Sequence, residues 1–404
     1  MTIRASKKLW VGYGVAMAWL YVLLWPLLGI KPDGLEFAAT FAIWGKAAVA
    51  AAILLVIYQL KQGGALNFIL KPAAAVGETA SAAAAKVPTW IWLCVAAGAA
   101  VTFPFVTERY AHDVAISVLI YVCLGLGLNV VVGLAGLLDL GYIAFYGVGA
   151  YTYALLSVHY GLSFWLCLPI AGGFAAIAGC IIGYPTLRMR GDYLAIVTLG
   201  FGEIVRIVLN NWMKLTNGPN GILGIKTPGA YWWDDGGFGH IWLSSLNQLY
   251  FVILGLAVFT VVAVYRINYS RIGRAFEAVR EDQTAAELMG VNTVRLKLLA
   301  YALGSVFGGL AGCFFAARMR FVSPESFTFI ESAMVLAMVV LGGMGSIPGV
   351  ILGALALIAL PEVFRGFELY RMLVFGGVMA IMMLFRPKGL WPAKRLGARS
   401  EEKE

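Results

Sequence analysis

Charge is scarce in this sequence. Only 13% of its 404 residues are Asp, Glu, Lys or Arg, against roughly a quarter in soluble domains. Hydrophobic residues make up 61%. So little charge beside so many apolar runs excludes an ordinary soluble globule and indicates a polytopic membrane protein. Histidine is scarcer still. His112, His159 and His240 stand alone, no HExxH occurs, and no Ser/His/Asp or Cys/His set can be assembled. Without a nucleophile and its base, or a metal cluster, an enzyme is not expected and no cofactor is called for. No GxxxxGK[ST] is present, so the chain does not itself cradle ATP phosphates. The five cysteines, Cys94, Cys123, Cys167, Cys180 and Cys313, lie in or beside apolar segments with no CxxC pairing. That disfavours both a disulfide framework and a zinc site. The net charge of +9 does not point to nucleic acid, because the basic residues sit in short loops where they orient helices.

What is present is a succession of spans. Apolar runs at 10–30, 37–59, 90–106, 113–134, 140–157, 163–183, 193–211, 247–265, 298–317, 328–345, 348–363 and 371–386 predict an all-α, polytopic transmembrane helical bundle of about ten to twelve segments. Several runs are short or glycine-rich, which suits half-helices that do not cross. The first run is long enough to span, and no cleavable signal peptide is apparent. Arg4, Lys7 and Lys8, then Lys61, Lys71 and Lys86, then Arg188 and Arg190, then Lys388, Lys394, Arg395 and Arg399 all fall on one side of these spans. The positive-inside tendency makes that side cytoplasmic and places both termini there. Arg318, Arg320, Arg365 and Arg371 fall on the other side and weaken the pattern without reversing it.

The chain divides near residue 88. Residues 1–88 read as an N-terminal pair of transmembrane helices followed by the alanine-rich linker KPAAAVGETASAAAAK (Lys71–Lys86), 89–390 as the core, and 391–404 as a charged tail. Lys46 inside the second run reads as a helix-contact or snorkelling lysine, with a transport role as the alternative. Asn211–Ser244, with its NGPNG and DDGG turn signals and Tyr231, Trp232 and Trp233, reads as a wet loop on the far side. Its aromatics suit either interfacial anchoring or docking of a soluble partner.

A charged island, SRIGRAFEAVREDQTAAELMGVNTVRLK (Ser270–Lys297), interrupts the apolar segments. Arg271, Arg274, Arg280, Arg295 and Lys297 mark it cytoplasmic. Asp282 is placed to cap a short helix, Thr284 and Glu287 have capping-box spacing, and Gly290 is placed to end it. Ala285, Leu288 and Met289 would give that helix an apolar face. An amphipathic helix on the headgroups is one reading. The acidic residues Glu277, Glu281, Asp282 and Glu287 favour the other, docking on a protein partner.

Glycines cluster at Gly125, Gly127, Gly133 and Gly136, and again at Gly342, Gly343, Gly345 and Gly349 beside Pro348. Small residues let helix backbones approach, and the second cluster predicts a re-entrant or broken segment. Asn129, Asp139, Glu203, Arg206, Asn210 and Glu331 interrupt apolar runs. Glu203 and Arg206 are spaced to pair on one helical face after a glycine turn at Gly200–Phe201–Gly202. These residues are candidates for either structural polar contacts or the lining of a pathway.

The runs GLGLNVVVGLAGLLDLGYIAFYGVGAYTYALL (125–156), LRMRGDYLAIVTLGFGEIVRIVLNN (187–211), GPNGI (218–222), GRAFEAVREDQTAAELMGVN (273–292) and RFVSPESFTFIESAMVLAMVVLGGMGS (320–346) resemble the permease subunits of bacterial branched-chain amino acid ABC importers. The resemblance covers about residues 90–390 and is to the larger, LivM-type permease of the pair. It implies the ABC importer permease fold, a bacterial inner-membrane location and movement of Leu, Ile and Val by alternating access. The implied partners are a second homologous permease, two cytoplasmic ATP-binding subunits, a periplasmic substrate-binding protein and membrane lipid. By resemblance, 273–292 corresponds to the coupling segment, a relative of the EAA loop, with Glu277-Ala278 and Gly290 where that pattern has its acidic-alanine start and its glycine; the capped island adds Glu281, Asp282, Ala285 and Ala286 to the expected ATPase contact. Val279 stands where the general motif has its second alanine. Related permeases carry urea or short amides, which is one alternative. A secondary transporter driven by an ion gradient is another, disfavoured because no repeat is evident and the island would be unexplained.

Overall fold

The structure, a computed structural model, describes Ile30–Lys31, Gly34–Leu35, residues 98–363 apart from 99, 188, 190, 235, 236 and 244, and residues 389–391. Most of the N-terminal pair of spans, Lys46, the 71–86 linker, the run at 371–386 and most of the tail lie outside the described residues. Two units are distinguished, 1–97 and 98–404. In the first, strands β1 (Ile30–Lys31) and β2 (Gly34–Leu35) pair antiparallel.

The second unit is a helical bundle. Helix α1 (Arg109–Leu128) runs on as a π-helix over Asn129–Leu134. The chain then leaves helical structure until α2 (Ile143–Tyr160), so the run expected from 140 begins three residues later. Helices α3 (Phe164–Thr186), α4 (Asp192–Asn211), α5 (Leu246–Asn268) and α8 (Thr293–Met319) follow the apolar runs closely. Between α5 and α8 come α6 (Arg271–Glu281) and α7 (Gln283–Leu288). The last described helices are α9 (Phe329–Gly342) and α10 (Ile347–Val363). Among the described residues, six helices are long and apolar enough to cross a membrane.

Two expectations change here. Gly200–Phe201–Gly202 is not a turn, since α4 passes through it unbroken. Gly202 instead lies against the backbone of Gly141, where a Cβ would meet the Gly141 Cα at 3.1 Å. The wet loop is partly ordered as β structure. β4 (Gly229–Asp234) and β5 (Gly237–Trp242) form a hairpin, and β3 (Ile222–Leu223) pairs with β6 (Phe321–Val322), tying the loop to the segment after α8.

Helix α8 is the hub, packed against α1, α2 and α3. Membrane helices gain no hydrophobic free energy by leaving lipid for one another, so they associate through close packing. Gly304, Gly308, Gly309 and Gly312 supply it. A Cβ on Gly312 would stand 2.0 Å from the Tyr146 carbonyl of α2, and one on Gly309 2.8 Å from the Ala171 carbonyl of α3. Gly127 of α1 and Gly304 face each other, with Gly304 O accepting from the Tyr142 hydroxyl at 2.9 Å.

This packing predicts a contrast between two glycines. Gly312→Ala should lower the thermal stability of the purified chain by about 1–3 kcal/mol, the usual cost of overpacking. Gly173 on α3 has nothing within 4 Å of an added Cβ. Gly173→Ala should therefore be neutral or stabilise by up to about 1 kcal/mol through helix propensity. Thermal unfolding in detergent reads both, and equal effects would contradict the hub.

Candidate functional site

Three polar residues set the starts of three successive helices in the charged island. The Ser270 hydroxyl accepts from Gly273 N at 3.2 Å and caps α6. Asp282 Oδ1 accepts from Thr284 N at 2.8 Å and Ala285 N at 3.0 Å and caps α7. Asn292 Oδ1 accepts from Arg295 N at 3.0 Å and caps α8. Each takes up orphan amides of a first turn. The island is thus two helices with a break at Asp282. The Thr284–Glu287 capping box does not form. Glu287 Oε1 instead accepts from Gln283 Nε2 at 2.9 Å and from the Thr293 hydroxyl at 2.6 Å. At the far end of α7, Val291 N donates to Ala286 O and Gly290 N to Glu287 O, each at 3.0 Å. Gly290 sits at φ +84°, so the helix closes in a Schellman motif as its position in the sequence predicts.

The faces of α7 are unlike. Leu288 and Met289 are each 84% exposed, and Ala278, Glu281, Asp282, Ala285 and Gly290 are exposed with them. Glu277 is partly buried. Ala286, grouped with these in the sequence, points the other way and is buried in its own chain. It leaves the set of outward residues, because at about 100° per residue its neighbour Ala285 takes the outer face. Lys297 Nζ donates to Gln283 Oε1 at 2.8 Å and ties α7 back to α8.

The island rests on unwound backbone. Asn129, at the start of the π-helix, is fully buried, and its Oδ1 accepts from Gly345 N at 2.8 Å. Gly345 lies in the turn between α9 and α10, where Gly343 and Gly345 both have positive φ. The break expected near Pro348 is this turn. The last carbonyls of α9, which lead into it, are met from the C-terminal side, where Leu390 N and Trp391 N donate to Leu341 O and Gly342 O at 2.8 and 2.9 Å. After the π-helix, Asp139 is fully enclosed and accepts from Gly141 N at 2.8 Å, while Leu140 N donates to the Thr198 hydroxyl of α4 at 3.0 Å. Arg280 of α6 donates to the Gly133 carbonyl inside the π-helix.

The remaining polar candidates do not converge with these. Glu331 on α9 accepts from the Tyr121 hydroxyl on α1. Arg206 Nε donates to Glu203 Oε2 at 2.8 Å, and their side chains keep 33% and 32% of their surface exposed. Asn210 is half-buried further along the same helix. The pair shares the outer surface of α4 with exposed Tyr193, Ile196, Ile204 and Ile207. An ion pair at mid-helix on a surface this apolar is costly against lipid, so this face suits protein or water. Sequence reasoning missed the Arg318–Asp113 ion pair at 2.8 Å, which joins α8 to α1. Two residues far apart in sequence carry no local signal of pairing.

Pairing within α4 predicts the outcome of a double-mutant cycle. Glu203→Gln should destabilise the protein by about 1–3 kcal/mol by leaving Arg206 uncompensated, less than for a wholly enclosed pair. Adding Arg206→Gln should recover part of the loss. Thermal stability and transport, measured together, decide the role. Unchanged stability with slowed transport in both variants would make the pair a pathway element instead.

Comparison with known proteins gives the family. The family described as branched-chain amino acid transport system / permease component matches residues 110–385. The high-affinity branched-chain amino acid transport system permease protein LivM of Escherichia coli is 52% identical over 311 residues, covering 73% of each chain. The probable branched-chain amino acid transport permease protein LivM of Methanocaldococcus jannaschii is 24% identical over 67% of this chain and 85% of its own length. LivH of Escherichia coli, a permease protein of the same kind of system, is 26% identical over 67% and 90%. No solved structure gives a significant match. With most of the described bundle inside the matched region, the chain belongs to the family of permease components of branched-chain amino acid transport systems.

Proposed function

We propose that this chain forms part of the membrane pathway of an ATP-driven importer for leucine, isoleucine and valine, and that the island of α6 and α7 is where ATP-binding subunits take hold. The relatives are named for branched-chain amino acid transport, and two related permease types appear among them. A second, homologous permease is therefore the natural neighbour, with its contact along the apolar, ion-paired surface of α4. A periplasmic binding protein hands substrate over on the side of the β4–β5 hairpin. The chain sits in the bacterial inner membrane with both termini cytoplasmic, as the loop charges favour. It moves its substrate by alternating access and carries no ATPase site of its own.

One observation carries the docking reading. Leu288 and Met289 stand almost wholly exposed at the end of a short helix whose backbone is fixed by an aspartate cap at one end and a Schellman turn at the other. Large apolar side chains held out on a rigid element mark an interface. The acidic Glu281 and Asp282 beside them disfavour anionic lipid as the occupant. A Cβ on Gly290 would meet nothing in this chain within 4 Å, so a substitution there acts through backbone strain at positive φ and through the partner.

Leu288→Asp combined with Met289→Asp tests this. Both side chains are exposed, so the chain itself should lose no more than about 0.5 kcal/mol per change. The ATP-binding subunits should fail to co-purify, and leucine uptake into vesicles should be lost. Wild-type co-purification and uptake would mean that the ATPases dock elsewhere.

A further inference from the structure

We propose that Arg280 is the positioning residue that passes movement of the docked island into the two interrupted segments of the bundle. The proposal rests on the reading of α6 and α7 as the ATPase contact and adds the route inward. Four observations form a chain. Arg280, on the last turn of α6, donates from Nη1 to the Gly133 carbonyl. Its aliphatic stem fills the space where Gly136 has no side chain. Gly136 sits at φ +71°, and a Cβ there would meet Arg280 Cγ at 2.7 Å. Gly133 in turn lies against the α9–α10 turn, where its own Cβ would meet Gly345 N at 2.6 Å. The same Gly345 N donates to Asn129 Oδ1 at 2.8 Å.

The parts suit transmission. A π-helix has a widened i→i+5 hydrogen-bond ladder and is found frequently at functional sites. Its carbonyl at Gly133 is gripped by a guanidinium from the island, and its side chain at Asn129 grips the neighbouring turn. Residues 135–142, which follow it, are backbone without a helical ladder, and α4 holds them through Thr198. A displacement of α6 therefore acts on the end of α1, on the α9–α10 turn and on the entry to α2 together. The α9–α10 turn meets Asn129 and Gly133 of the π-helix. It is reached through the π-helix.

The test uses the whole importer reconstituted in vesicles, reading ATPase co-purification, ATP hydrolysis and leucine taken up per ATP. Arg280→Gln should keep the ATPases bound and hydrolysing while uptake per ATP falls about tenfold, within the range of coupling between distinct sites. Arg280→Lys, which can still donate to one carbonyl, should restore part of it. Gly136→Ala should push the Arg280 stem aside and uncouple in the same way. The double variant should be no worse than either single one, since both break the same link. Loss of bound ATPases in Arg280→Gln would make Arg280 a docking residue and overturn the proposal. So would unchanged uptake per ATP, or failure of all three single variants to accumulate, which would mark a folding element. The aspartate changes at Leu288 and Met289 test the docking reading separately. If they leave the complex whole, that reading fails whatever Arg280 does.

Discussion

Backbone that leaves a helix inside an apolar bundle must find its hydrogen bonds in protein, because lipid offers none. Most of the architecture around the island answers that constraint. The chain unwinds twice in the described bundle, after the π-helix and between α9 and α10. The second break is met by Asn129 from the π-helix and by Leu390 and Trp391 from the C-terminal side. The first is met by Asp139, by Thr198 of α4 and, at the Gly133 carbonyl, by Arg280 of the island. Unwound backbone thus becomes a junction. It gathers α4, the α9–α10 turn and α6 around the end of α1.

Glycine makes the junction possible. Close approach in α8 replaces the hydrophobic attraction that lipid cancels, and it fixes α1, α2 and α3 around one axis. Where side chains are absent, carbonyls stand within reach of hydroxyls and amides. The Tyr142 hydroxyl on Gly304 O is one such contact, at the very place where α2 begins. Packing and polar satisfaction are therefore one problem here. A bulkier α8 would separate the helices and leave the unwound carbonyls without partners.

Local signals in the sequence reported local structure well. Asp282 and Gly290 could be read as cap and terminator because capping is decided within one turn of helix. The turn after α9 was readable from glycines beside Pro348, and the Glu203–Arg206 pair from a spacing of three. Contacts between distant residues were not readable. Nothing near Arg280 announces Gly133, and nothing near Asn129 announces Gly345. Ala286 was misplaced because adjacent positions on a helix face different ways and only packing chooses between them. The glycines at 304, 308 and 312 did carry a signal, a spacing of four that suits close helix contact. Gly200 and Gly202 looked like a turn because glycine in a soluble chain breaks helices, whereas in this bundle Gly202 makes room for Gly141.

Hydrogen exchange of the whole protein in lipid nanodiscs measures the central contact most directly. If Asn129 satisfies the α9–α10 turn, amides in a peptide covering 341–346 should exchange slowly in the native protein. In Asn129→Leu, which keeps the branching and removes the acceptor, that peptide should exchange faster while the hub helix α8 stays protected. Fast exchange at 341–346 in the native protein, or no change on removing the Asn129 amide, would contradict the junction on which this description of the permease is built.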